Sequence, residues 1–334
     1  MTIEIEKSGL LTTIQDNGRY GFRKYGVIVS GAMDPIAMRI SNILVGNEED
    51  SSVLESTLMG PNIKINEDCL ISICGGDLSP KINGINAPMW RPIYIKSGSI
   101  LSFTGCKSGA RAYISFSGSF NLNKTLGSNS TYIRASIGGI EGRALKNGDV
   151  INLNAPTTIG VKIINKLKKN IDEKGFSSTS WFIGKNFICN YGSAPILRFT
   201  KGVQFHCFTD KSIKDFCNNK FKITLQSDRM GYRLNGPQLY LKESLELISE
   251  AVTLGTVQVP KDGNPIILLA DGQTTGGYPK IADIASIDIP IAAQLKPGDE
   301  ITFKEISLEE AQRLYILREK KLKYLKNLIN FKFD

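Results

Sequence analysis

The chain has 334 residues, 41% of them hydrophobic and 22% charged, with a formal net charge of +9. This composition supports a sizeable core and excludes wholesale disorder, and the length suits one large domain or two of ordinary size. No run of eighteen apolar residues occurs, so no membrane-spanning helix is expected. The N-terminus "MTIEIEKSGLLTTIQ" is acidic and alternating, without the basic start and apolar run of a secretory signal.

Six cysteines (Cys69, Cys74, Cys106, Cys189, Cys207, Cys217) form no C-x-x-C pair and are expected to be reduced, mostly buried thiols of a cytoplasmic protein. The single histidine, His206, lies in "VQFHCF" and reads as a strand residue. Its solitude argues against Ser-His-Asp or Cys-His catalysis and against a structural zinc site. The tail from Ser307 holds seven basic residues against four acidic ones, Asp334 included. The positive balance therefore suits a solvated helix face or an acidic protein partner better than nucleic acid.

In chain order, the first clear element is a helix within 34–46. Asp34 fits its N-cap and Pro35 its first position. Ile36, Ala37, Ile40, Ile43 and Leu44 form one apolar stripe, and Gly46 ends it. "CLISICGGD" reads as a strand ending at Asp77, followed by a hairpin with an Asn-Gly turn. "ARAYISFSG" and "GDVINLN" read as strands. Between them, residues 125–149 form a Gly-, Ser- and Thr-rich loop with Arg134, Glu141 and Arg143, open to an interface or an active-site role. The polar stretch 165–184 reads as a linker. "PILRFTKGVQFHCF", "KFKITLQ" and "TVQV" read as strands, with a hairpin turn at Lys261-Asp262-Gly263. A basic helix is expected over 307–334, with Ser307 and Glu310 as a capping box and a stripe of Ala311, Leu314, Tyr315, Leu322, Leu325 and Ile329.

Blocks of the first half recur in the second in the same order. Arg19, Gly21, Phe22, Arg23 and Gly26 match Arg229, Gly231, Tyr232, Arg233 and Gly236. "ESTLMG" from Glu55 matches "EAVTLG" from Glu250. The strand ending at Asp77 matches the one before Asp271, and "IKSGSILSF" matches "LKPGDEITF". The implied organisation is a duplication: a first domain over 1–164, a linker over 165–184, a second domain over 185–306 and the tail helix. Each half should be mainly β and a closed or nearly closed barrel, which removes exposed strand edges.

The two copies differ most after the matched acid. Where the first half has a plain hairpin, the second has "GQTTGGYPKIADIASID". Asp271 can accept a proton or hold a metal. Gln273, Thr274 and Thr275 supply amide and hydroxyl groups, Gly276 and Gly277 free the backbone, and Tyr278 completes the loop. On spacing alone, a site and a capped turn are equally open. Arg229 and Arg233 can fork an anion or form an inherited ion pair, with Glu55 and Glu250 as natural partners. Asp228 has no acidic counterpart in the first half, and Gln258 can face either side of its strand.

"SGAMDPIAMRISNILVGN", "GSNSTYIRASIGGIEGRAL", "SDRMGYRLNGP" and "TVQVPKDGNPIILLADGQTTGGYPKIADI" resemble, from about Leu10 to Phe303, the family called allophanate hydrolase subunit 2, biotin-dependent carboxyltransferase C/D subdomain or Kip-type antagonist. The resemblance implies two cyclophilin-like β-barrel domains. It also implies the C subunit of an ATP-dependent 5-oxoprolinase. That subunit works with two others, a cyclophilin-like, Kip-inhibitor-type B subunit and an A subunit. ATP and Mg²⁺ are the implied cofactors, the metal ligands being unassigned. No biotin attachment sequence is found in this chain. Alternatives within the family are a urea- or amide-type carboxyltransferase and a non-enzymatic antagonist of a kinase inhibitor. On this reading Arg229, Asp228 and Asp271 are catalytic candidates. Gln258, Gln273, Thr274, Thr275, Gly276, Gly277 and Tyr278 bind substrate or nucleotide.

Overall fold

The computed structural model describes residues 1–184, 186–189, 191–192 and 194–333. Lys185, where the second domain was expected to begin, and Asp334, the end of the expected helix, lie outside them. Two compact units emerge. The first comprises Met1–Gly18, Asp34–Cys189 and Lys320–Asp334; the second comprises Arg19–Met33 and Asn190–Glu319.

The first unit begins with β1 (Thr2–Lys7), β2 (Leu11–Gln15) and α1 (Pro35–Leu44). It continues with β3 (Val53–Thr57), β4 (Asn62–Ile65), β5 (Cys69–Asp77), β6 (Pro80–Ile82) and β7 (Ile85–Asn86). Then follow β8 (Ile93–Ile95), β9 (Ile100–Phe103), β10 (Ser108–Phe116), β11 (Val150–Asn152), α2 (Thr158–Lys168) and β12 (Phe176–Ser178). The strands form two six-stranded sheets, β11-β1-β4-β9-β6-β7 and β12-β8-β5-β10-β3-β2. One apolar cluster joins them, with Ile3, Ile63 and Leu101 from the first sheet and Ile71, Ile73 and Ile114 from the second. The expected Asn-Gly hairpin is present: Asn83 and Gly84 take φ of 51° and 81° between β6 and β7, as a two-residue turn requires.

Helix α1 forms as its sequence prescribes. The Asp34 carboxylate accepts hydrogen bonds from the amides of Ile36 (3.1 Å) and Ala37 (2.9 Å). Gly46 leaves the helix at φ 76°, and the apolar stripe is buried. The stretch 165–184 is a correction to the linker reading. It holds the end of α2, which buries Ile163 and Leu167, and β12, which pairs with β8. Lysines on the exposed face of α2 mask that stripe in a composition count.

The second unit contains β13 (Ile196–Lys201), α3 (Asp210–Asn218), β14 (Phe221–Ile223), β15 (Gly231–Asn235), β16 (Glu250–Ala251) and β17 (Thr256–Gln258). β18 (Ile266–Leu268), β19 (Thr275–Gly276), β20 (Lys280–Ile284), α4 (Ile289–Ala293) and β21 (Glu300–Glu305) complete it. Seven strands close into a barrel in the order β13-β20-β17-β18-β15-β14-β21, and β16 and β19 pair separately. Its core centres on stacked and edge-on rings of Phe199, Phe216, Phe221 and Phe303. "VQFHCF" is not a strand: Phe205–Cys207 form a 3-10 turn, and His206 is exposed. Among the described residues no disulfide forms; Cys69 and Cys74 are buried and the other four cysteines partly so. Burial pushes the Cys69 thiol up to about 12.

One matched pair of blocks is also matched in geometry. Gly98 and Gly298 have φ of 82° and 98°. Each follows the same turn, with Ser99 N–H bonding Lys96 O at 3.2 Å and Asp299 N–H bonding Lys296 O at 3.1 Å. The arginine blocks are not equivalent: Arg23–Tyr25 is a 3-10 turn, whereas Gly231–Asn235 is strand β15, and both belong to the second unit. The domain limits read from sequence therefore do not follow the units, since Arg19–Met33 joins the second and Lys320–Asp334 the first.

The last element, α5, spans Leu308–Phe333. Its first turn is capped as expected, with Ser307 Oγ accepting from Glu310 N–H at 3.2 Å. It buries Leu322, Leu325, Ile329 and Phe333, whereas Tyr315 is exposed. Among the described residues no helix is long and apolar enough to cross a membrane.

Candidate functional site

The loop after β18 belongs wholly to the second unit, and two arrangements occupy it. At its start, Asp271 and Arg229 form a buried bidentate pair, Nε to Oδ2 at 2.9 Å and Nη2 to Oδ1 at 3.1 Å. Ser30 Oγ donates to Asp271 Oδ1 at 2.8 Å, and Arg229 Nη2 donates to Gly31 O at 2.6 Å. Backbone bonds from Asp271 N to Arg229 O and from Leu269 N to Met230 O align the two segments. This arrangement holds the base of the loop. It leaves Asp271 poorly placed to collect a cation, because Arg229 and Ser30 already occupy both carboxylate oxygens. Among the described residues no group of three His, Cys, Asp or Glu is disposed to hold a metal ion.

The partners expected for the arginines are otherwise engaged. Glu250 binds Lys280, Nζ to Oε2 at 2.7 Å. Glu55, in the first unit, accepts from Tyr113 Oη at 2.8 Å and lies 3.9 Å from Arg111 Nε. Asp228 is exposed, and its carboxylate accepts from the amides of Met230 (2.8 Å) and Gly231 (3.4 Å). That geometry shapes the turn into β15.

Further along the loop, amide groups converge. Gln258, on β17, is 1% exposed. Its Nε2 donates to Tyr278 O at 3.4 Å, and its Oε1 accepts from Gln273 Nε2 at 3.4 Å. A Cβ at Gly276 would stand 2.6 Å from Gln258 Nε2 and 2.8 Å from Gln273 Nε2. Glycine there is thus what lets two side-chain amides meet over the backbone. Gln273, Thr275, Gly277 and Tyr278 are exposed, so the arrangement opens to solvent on one side. Thr274 contributes its carbonyl, which accepts from Val252 N at 3.1 Å and Arg23 Nη2 at 3.3 Å. The same guanidinium group donates to Val252 O.

Lys280 was not singled out in the sequence, and it brings a buried ammonium to this site. It is 7% exposed. Its Nζ reaches Glu250 and, at 3.5 Å, Ala251 O. Its backbone N–H donates to Gln204 Oε1 at 3.1 Å. The only local signal was a lysine opening a strand in "PKIADI"; Glu250 and Gln204 are remote in sequence. The site thus offers an ammonium, two primary amides and exposed loop amides, a set suited to a small polar molecule carrying an amide and an anionic group.

The 125–149 loop, in the first unit, is pinned at both ends. Asp16 Oδ1 accepts from Ser128 Oγ (2.6 Å) and Ser130 Oγ (2.5 Å), and its Oδ2 accepts from Asn129 N (2.6 Å). Arg143 grips Asp149 through two bonds of 2.8 and 3.0 Å. Those bonds hold the Asp149 carboxyl below 3.8, although burial opposes them. A depressed carboxylate stabilises the fold above its unfolded value and loses that effect as pH falls through the folded one. Asp149→Asn is therefore expected to cost about 1 kcal/mol at pH 6. The difference from wild type should shrink below pH 3.8, as read by urea denaturation at each pH.

A family model described as carboxyltransferase domain, subdomain A and B, matches residues 25–305. The subdomain letters are thus A and B, where C/D was expected. The chain is 34% identical over 325 residues to the 5-oxoprolinase C subunit of Haemophilus influenzae, covering 96% of both. It is 35% identical over 312 residues to the 5-oxoprolinase C subunit of Escherichia coli, covering 92% of this chain and 93% of that one. It is 33% identical to urea amidolyase of Saccharomyces cerevisiae, covering 93% of this chain but 17% of that protein. Among solved structures, urea amidolyase of K. lactis superposes with a TM-score of 0.87 at 29% identity, over 97% of this chain and 20% of that one.

Proposed function

Because the chain belongs to the carboxyltransferase-domain family of subdomains A and B, we propose that it is the C subunit of an ATP-dependent 5-oxoprolinase. With the A and B subunits it opens 5-oxo-L-proline to L-glutamate. Relatives carrying that subunit name match nearly end to end. The observation that carries the chemistry is the meeting of Gln258 and Gln273 above Gly276. A lactam is a cis amide, with its carbonyl oxygen and N–H on one edge. A glutamine amide presents a complementary acceptor and donor on one edge of its own, so the two can pair through two hydrogen bonds. Lys280 supplies charge for the substrate carboxylate, held in place by Glu250 until substrate arrives.

The donor set of this loop does not fit Mg²⁺, since Asp271 is committed to Arg229 and Ser30. We therefore assign ATP and its metal to the assembled complex, and the role of this chain is to bind and orient the amide. Tyr25, Ile248 and Tyr278 of the second unit are exposed, and the B subunit is the partner assigned to cover them. A carboxyltransferase acting on urea is the second reading, favoured by the match to urea amidolyase across 93% of the chain; urea would use the same amide pair.

Reconstitution with the A and B subunits distinguishes the two. ATP hydrolysis should depend on 5-oxoproline and on all three subunits, and no carboxyl group should pass from a carboxybiotin donor to urea. Lys280→Met should lower kcat/KM about a hundredfold with the complex intact. Urea-dependent turnover, or full activity of Lys280→Met, would overturn the assignment.

A further inference from the structure

The matched family region ends at residue 305, before α5 begins at Leu308. Within the first unit, the α5 stretch Lys320–Phe333 has two apolar faces. One, formed by Leu322, Leu325, Ile329 and Phe333, is buried. The other carries Tyr324 (59% exposed), Leu328 (42%) and Phe331 (85%). These three follow spacings of four and three residues, and Lys321 continues the series one step back. A strict three-four series makes a narrow seam of the kind one helix offers another. A helix lying on a bilayer shows a broad apolar sector instead.

The charge around the seam is of one sign. Lys320, Lys321, Lys323, Lys326 and Lys332 all lie in this stretch, and it has no Asp or Glu. Lys326 is turned away to Glu48 at 2.8 Å. Lys320 and Lys332 fall on the flanks of the seam, where helix pairs place the charges that select partners. A second copy would bring lysine against lysine and be repelled.

We propose that the Tyr324-Leu328-Phe331 face of α5 docks an amphipathic helix of a partner protein, one with an apolar seam flanked by Glu or Asp. The test uses the full chain and a labelled probe peptide of about three heptads, with leucine along the seam and glutamate at the flanks. A counter-probe carries lysine at the flanks. Fluorescence anisotropy should show binding of the acidic probe, weakened by added salt, and none of the basic one. Combining Tyr324→Glu with Phe331→Glu should reduce affinity at least about tenfold. Thermal unfolding should be unchanged, because both side chains are exposed. Equal binding of the two probes, or an unaffected double variant, would overturn the proposal. So would seam-dependent binding to phosphatidylserine vesicles without probe binding, or a wild-type dimer that the double variant abolishes.

Discussion

Arg229→Met is expected to lower the stability of the second unit by about 3–5 kcal/mol, the usual consequence of leaving one partner of a buried ion pair uncompensated. Asp271 would keep only Ser30 against a desolvated charge. The double variant with Asp271→Leu should recover most of the loss, because two apolar side chains replace two paired charges. Both tryptophans, Trp90 and Trp181, belong to the first unit. Hydrogen exchange of the β15 and β18 amides is therefore the suitable measurement. A single-variant loss under about 1 kcal/mol would show that the pair does not hold the loop base. Activity of the double variant then separates anchoring from chemistry. If Arg229 and Asp271 only position the loop, reconstituted turnover should return with stability.

Gly276→Ala should have the opposite profile, a small effect on stability and a large one on turnover. The new methyl group would meet the amide nitrogens of Gln258 and Gln273 at 2.6 and 2.8 Å. Both are the ends of side chains that can rotate away. The fold should thus lose only about 1 kcal/mol. The amide pair would be displaced, however, and misplacing a binding group by about 1 Å can cost a hundredfold in rate. The expected result is a drop of that order in kcat/KM for 5-oxoproline, with assembly of the complex unchanged. Unaltered kinetics with a displaced Gln258 would remove the pair from the proposed mechanism.

Local signals were read well from the sequence. The cap and stripe of α1 and the Asn-Gly hairpin after β5 each depend on a few adjacent residues. The capping and φ preferences of those residues are intrinsic. The mainly β class followed from alternating runs, and the expanded loop after Asp271 from comparing the two halves. Misreadings arose where a partner lies far along the chain. "VQFHCF" has strand composition but turns as a 3-10 helix after Lys201. The polar stretch 165–184 hides Leu167, a buried residue of α2, among exposed lysines.

The sequence by itself determined that this chain is mainly β, with a Gly- and Thr-rich loop after Asp271. Periodicity and glycine placement are local properties that survive without coordinates. Only the tertiary structure decided which residues meet in that loop. Ser30 and Arg23 reach it from some 230–250 positions away, and Lys280 finds Glu250 across 30. It also moved Asp271 from free carboxylate to ion-paired anchor. Burying a charge requires a specific partner, and no rule of spacing identifies that partner before the chain has folded.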